Sequence, residues 1–320
     1  MATAGGPRHR KPLFRRAGRR ADPQLGTAGR VSPILRLHSS SNPCLTREPW
    51  TVGLEARTRM ATARKFCHRL VPHLHTMNHR AAGEGEPLVR PMYHPHPGDA
   101  AAYGVPNQFA FGTEMLVAPI TAPHDPVTLM GSVSASLPTG TWTDLFTGRL
   151  RGQRNADPAP RWQLHSRPAR ARAIVPLAGE ANVDATQNPD HLEVVVAPGA
   201  DGAFTLVEDE DTGGLSPTAS AAITWGQATG TLTIGAATGA AGIVPKTRTW
   251  TVRLVGCPNA PGVTVDGHVQ ATGVHDGWTA DHVGRPPHRP SGASGVWRRS
   301  HHTDGGRPGK NICVRARLQL

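Results

Sequence analysis

One proline sets the strongest limit on what this chain can fold into. Residues 54–82 read LEARTRMATARKFCHRLVPHLHTMNHRAA, and Phe66, Leu70, Leu74 and Met77 recur at the spacing that lines one face of a helix. Pro72 falls inside that face. It has no amide hydrogen to donate and its ring clashes with the preceding turn, so a kink, or two helices meeting there, is expected. Gly83 and Gly85 end the segment. No other part of the chain carries so strong a helical period.

Beyond Gly85 the sequence takes on a β texture. FAFGTEMLVAPI contains a short apolar strand closed by Pro119, and SVSASLPTGTWTDLFTG alternates strand formers with Pro-Thr-Gly and Thr-Gly turns. ARAIVPLAGE, LEVVVAPGADGAFTLVEDEDTGG, TLTIG and TWTVRLVG continue the pattern. APGADGAFTLVED reads as a hairpin with Phe204 and Leu206 on one side. Glycine (36) and proline (30) exceed a fifth of the 320 residues, which suits many short strands joined by turns. From about 90 to 258 the expectation is one or two small β-sandwiches.

The net charge of +12 suggests a nucleic-acid partner until its distribution is read. Residues 1–30 carry +7 and residues 261–320 carry +4, leaving +1 for everything between. Both ends are rich in Gly, Pro and Arg and short of apolar spacing, so they read as disordered basic tails; the terminal one also has the texture of an out-of-frame sequence. Basic groups without interleaved aromatics on a folded face make no specific nucleic-acid site. Four cysteines, Cys44, Cys67, Cys257 and Cys313, form no CxxC pair, so neither a disulfide framework nor a zinc cluster is expected. No apolar run reaches membrane-spanning length and no secretory signal follows the basic N-terminus, which leaves the cytoplasm as the default location and no membrane partner.

Six blocks in chain order carry a family resemblance: SPILRLHSSSNP with TREPW; RLVPHLHTMNHRAAGEGEPLVRPMYH; YGVPNQFAFGTEMLVAPIT; LPTGTWTDLFTGR; ARAIVPL; and PGADGAFTLVEDE. Together they resemble the C-terminal portion of glycoside hydrolase family 31, the α-glucosidases and α-xylosidases. The resemblance implies a mixed fold: a terminal fragment of a (β/α)8 barrel over residues 31–90, a proximal β-sandwich over 91–178 and a distal one over 179–260. Residues 1–30 and 261–320 stand as tails outside it. An open barrel end exposes strand edges and apolar helix faces, so aggregation is expected unless another chain supplies the rest of the barrel.

The resemblance also implies chemistry. Such enzymes act on terminal α-linked glucose or xylose with retention, which takes two carboxylates about 5 Å apart, one as nucleophile and one as acid/base. In the family both are aspartates upstream of the Arg-x-His stretch. Here Asp22 is the lone acid before that point, in RRADPQLG, without a strand context to hold it in a pocket. No catalytic residue is therefore assigned, and this chain is expected to be inactive, with an α-linked oligosaccharide or α-glycoside as the partner of the full-length family. Arg36 and His38 match the substrate-binding stretch: a guanidinium can hold a carboxylate in a fork, and an imidazole can bond to a sugar hydroxyl. Arg47, Glu48 and Trp50 match a structural REPW phrase near the site. The alternative function is a non-catalytic sandwich module binding carbohydrate or protein.

No cofactor is implied. His68, His73, His75 and His79 crowd one helix, and His75 and His79 share a face, but HExxH is absent and no metal is assigned. Asp209 and Asp211 are close in LVEDEDTGG, where crowding at a turn is a more ordinary outcome than a catalytic pair. Finally, WQLHSRPARARAIVPL brings arginine and proline into a place where the family prefers an apolar strand, and weaker sandwich packing is expected there.

Overall fold

The computed structural model describes residues 50, 53–120, 127, 132–145, 148, 150–152, 161–163, 168–180, 187–210 and 216–256, together with strands at 263–265, 268–270, 278–281, 294–302 and 312–316. Two helices lead, α1 (Leu54–Arg69) and α2 (Val71–Glu84). They meet at Leu70, which leaves Pro72 in the first turn of α2, where its missing amide is not needed. Leu70 stays near-helical (φ −73°, ψ −6°), and its N–H donates to the carbonyls of Phe66 and Cys67. The expected stripe is the buried face: Leu70 and Met77 lie in the main core with Phe66 and Leu74 packed against it. The helical run continues through Gly83, and Gly85 ends it in the left-handed region (φ 70°).

After the helices come β1 (Val89–Pro91), α3 (Ala100–Tyr103), β2 (Phe109–Phe111), β3 (Met115–Val117), β4 (Ser132–Ser134), β5 (Thr141–Asp144), β6 (Leu150–Gly152), β7 (Arg161–Gln163), β8 (Pro168–Arg170) and β9 (Ile174–Ala178). The chain continues with β10 (His191–Val196), β11 (Gly202–Asp209), β12 (Thr218–Gly226), β13 (Thr231–Ile234), β14 (Thr238–Gly239) and β15 (Thr247–Val255). A six-stranded antiparallel sheet runs β1-β2-β3-β8-β5-β6. Residues of β2 and β3 alternate across it: Phe111, Met115 and Val117 face the main core, whereas Ala110 and Leu116 join a second cluster with Met92, Leu137 and Trp142. FAFGTEMLV is thus two strands rather than one, turned at Gly112 (φ 62°).

Residues 261–320, read as a tail without regular structure, supply five strands: β16 (Val263–Val265), β17 (His268–Gln270), β18 (Trp278–Asp281), β19 (Ser294–His302) and β20 (Ile312–Ala316). β18 and β19 extend a sheet ordered β18-β19-β15-β10-β9, and β20, β16 and β17 extend one that begins β11-β12-β13. Open edges of β15 and β13 offer unpaired backbone groups, and backbone pairing of this kind asks little of side-chain sequence. β10 lies parallel to β15, the one parallel pairing among the described strands.

Two expectations are corrected. APGADGAFTLVED is not a hairpin: β10 pairs with β9 and β15, while β11 pairs with β12 in another sheet. The Gly/Asp turn carries the chain from one sheet to the next, with Gly199 at φ 128°. Phe204 and Leu206 do share the buried face. Nor do the arginines of ARARA disturb packing. Ala169, Ala171 and Ala173 are buried while Arg170 and Arg172 alternate outward, Arg170 over the Trp142 ring at 5.4 Å.

Candidate functional site

Arg36, His38, Arg47, Glu48 and Asp211 lie outside the described residues. Trp50 is 69% exposed. The functional groups that the structure does place together cluster where α1 and α2 cross the sheets.

Thr76 registers α2 on β11. Its hydroxyl accepts from the Val207 N–H at 3.1 Å and donates back to the Pro72 carbonyl at 3.0 Å. One turn apart on the outer side stand His75 and His79, with rings 5.2 Å apart. Asp209, at the end of β11, brings Oδ2 to 3.5 Å from His75 Nε2 and 4.0 Å from His79 Nε2. The three ligand-type atoms all lie within 4.8 Å of one another. Spacing on the helix makes the histidine pair legible in sequence. The aspartate arrives from more than a hundred residues away, and no local signal announces it.

His73 is different. Fully buried, it stacks between Phe111 and Phe204 (centroids at 6.3 and 5.5 Å), and neither ring nitrogen has a protein hydrogen-bond partner. Burial, reinforced by the Arg80 charge, lowers its pKa to about 3. It is a neutral aromatic filler at physiological pH, unsuited to exchanging protons. Cys67, half-buried on α1, has its thiol pushed up by burial, which suits an inert packing residue.

Two carboxylates near the core, Glu208 and Glu193, face guanidinium groups. Arg248 grips Glu208 through two bonds of 2.9 and 2.6 Å, and its Nε donates to the Pro189 carbonyl. Glu193 on β10 is held from both sides, by Arg253 at 2.6 Å and by Arg69 from the end of α1. Burial alone would push Glu193 upward; the charges and hydrogen bonds of Arg253 and Arg69 outweigh it and hold the carboxyl below its ordinary range. Arg69 also donates to the Ala178 carbonyl, and Arg253 to that of Leu145, so this trio ties α1 to β9, β10 and β15 and to the end of β5. Held low in this way, the Glu193 carboxyl makes a poor general acid, a role that needs a raised pKa.

A cleft of about 340 Å³ is lined by Glu114, Arg172, Asp201, Gly202 and Ala203. Arg172 (φ 92°) adopts a left-handed backbone, fixed where its N–H donates to the Ala197 carbonyl and Gly202 abuts its own carbonyl. Arg172 stands 4.0 Å from Glu114, and Asp201 accepts from the Gln227 N–H at 2.7 Å. Among the described residues, the lining offers no aromatic ring on which a sugar could stack.

These features sit within and beside a segment with known relatives. Residues 85–189 match the glycosyl hydrolase family 31 C-terminal domain. The chain is homologous to the C-terminal portion of family 31 enzymes. An α-xylosidase of Saccharolobus solfataricus is 27% identical over 180 residues, which are 56% of this chain and 24% of that protein. The family 31 α-xylosidase of Xanthomonas citri superposes with a TM-score of 0.62 at 29% identity, covering 74% of this chain and 26% of its own. The cycloalternan-forming enzyme of Listeria monocytogenes, solved with a pentasaccharide substrate, shares the fold at TM-score 0.63 and 19% identity, over 92% of this chain and 27% of its own. The chain therefore spans about a quarter of the length of these proteins.

Proposed function

We propose that this chain is the C-terminal portion of a retaining α-glycosidase, comprising the end of the catalytic barrel (31–90), a proximal β-sandwich (91–178) and a distal one (179–260), and that it does not hydrolyse glycosides by itself. The observation that carries this reading is the family 31 C-terminal domain match over residues 85–189. Alongside it, two carboxylates near the core serve structural ion pairs. Glu208 and Glu193 are committed to Arg248, Arg253 and Arg69, leaving neither free to attack an anomeric carbon or to deliver a proton. Retention demands two carboxyl groups about 5 Å apart across a sugar, a demand that carboxylates engaged in this way do not meet.

In this reading Arg36 and His38 belong to the sugar-binding edge of the barrel, and the clamp formed by Arg69, Glu193 and Arg253 fastens the barrel's closing helix to the sheets behind it. The natural ligand of the assembled enzyme is an α-linked glucoside or xyloside, and a chain supplying the remaining barrel would complete the site. Incubating purified chain with p-nitrophenyl α-glucoside and p-nitrophenyl α-xyloside tests the proposal: no release of p-nitrophenol above buffer is expected. Turnover that scales with protein concentration and resists further purification would overturn it.

A further inference from the structure

We propose that His75, His79 and Asp209 bind one divalent transition-metal ion of the zinc class, clamping α2 to β11. The donor set is two imidazoles and one carboxylate, a combination suited to zinc and poorly matched to calcium or magnesium, which favour oxygen shells. Metal–ligand bonds of about 2.0–2.1 Å place tetrahedral ligand atoms roughly 3.3 Å apart. Asp209 Oδ2 already lies 3.5 and 4.0 Å from the two Nε2 atoms, so small side-chain rotations close the site around an ion.

The frame is held independently of any ion. Thr76, between the two histidines on α2, is bonded to Val207 of β11 and fixes the helix register two residues before Asp209. Asn188 donates from Nδ2 to the carbonyls of Asp209 and Ile243, holding the backbone at the end of the strand. The side chains of His75, His79 and Asp209 keep 34%, 40% and 21% of their surface exposed, which leaves a path for the ion and room for water at the remaining position. Among the described residues nearby, Glu208 is matched by Arg248, Glu210 is exposed beside Asp209, and the Arg80 guanidinium lies over the Phe204 ring, 5.7 Å from its centroid.

The test uses untagged full chain, stripped with chelator and titrated with zinc chloride by calorimetry. Because the chain has 17 histidines, weak binding elsewhere forms the background, and the comparison is with His79→Gln and Asp209→Asn. Wild type should show one tight equivalent that each variant loses or weakens by about tenfold or more. Tenfold excess calcium or magnesium should leave that equivalent in place. Both substitutions are nearly isosteric and partly exposed, and if one fails to fold, as judged by its metal-free melting, the other decides. Superimposable isotherms for wild type and a folded variant would overturn the proposal, as would displacement of zinc by magnesium.

Discussion

His73 predicts a specific acid sensitivity. In the folded chain its pKa is about 3, against 6.5 for an unperturbed histidine. The unfolded chain therefore takes up a proton that the folded chain refuses, and the stability lent by a neutral buried ring is complete only above pH 6.5. Each pH unit below that removes about 1.4 kcal/mol, continuing until the folded-state pKa is reached. Between pH 7 and pH 4.5 the loss from this residue alone is about 3 kcal/mol, a large share of the stability of an ordinary domain. Glu193, held below its ordinary range, adds its own loss at still lower pH, where the unfolded chain's carboxyl takes up a proton that the folded one refuses. Urea unfolding at both pH values, on wild type and His73→Leu, isolates the histidine. The variant should lose about 3 kcal/mol less than wild type across that interval. Equal losses in the two proteins would refute the assignment of a neutral, desolvated ring.

Three other outcomes rest on the packing around that residue and beside it. Removing either member of the Arg248–Glu208 pair strands the other charge in a dry site, since their side chains are only 2% and 7% exposed. Glu208→Leu and Arg248→Met should each cost about 3–5 kcal/mol, while the double variant should cost less than either, measured as a double-mutant cycle in urea. Gly112→Ala would put a Cβ 2.9 Å from His73 Nε2 and 3.1 Å from the Met77 sulfur at φ 62°, and is expected to destabilise by about 2–4 kcal/mol in the same assay. Replacing Glu193 with Gln should loosen the end of α1, read as faster amide exchange at residues 66–70 with β10 less affected, because Arg69 and Arg253 then share a neutral partner.

Much of the local structure is legible in the sequence. Pro72 announces the α1–α2 junction, Phe66, Leu70, Leu74 and Met77 announce the buried face, and the short alternating runs announce strands, because backbone chemistry and periodicity act over a few residues. Partner choice is not legible. APGADGAFTLVED has the residues of a hairpin, yet β10 lies between β9 and β15; a Gly/Asp turn specifies a reversal without specifying the sheet on either side. The same limit hides Asp209 from His75 and His79, and Glu193 from Arg69. ARARA looks disruptive when read by composition and proves orderly when read with period two, with alanines inside and arginines outside. The pairing of β19 with β15 is hidden by the Gly/Pro-rich sequence around it. Arg36 and His38, matched to a substrate-binding stretch, and Arg47 and Glu48, matched to a structural phrase beside it, lie outside the described residues.

The most direct test of the functional account is covalent rather than kinetic. An α-configured cyclophellitol-type epoxide esterifies the nucleophilic carboxylate of a retaining α-glycosidase, and intact-protein mass spectrometry reads the result on a single sample. The chain should keep its unmodified mass after prolonged incubation at neutral pH. A gain of one inhibitor mass, prevented by competing α-glucoside and mapped to an aspartate or glutamate, would contradict it.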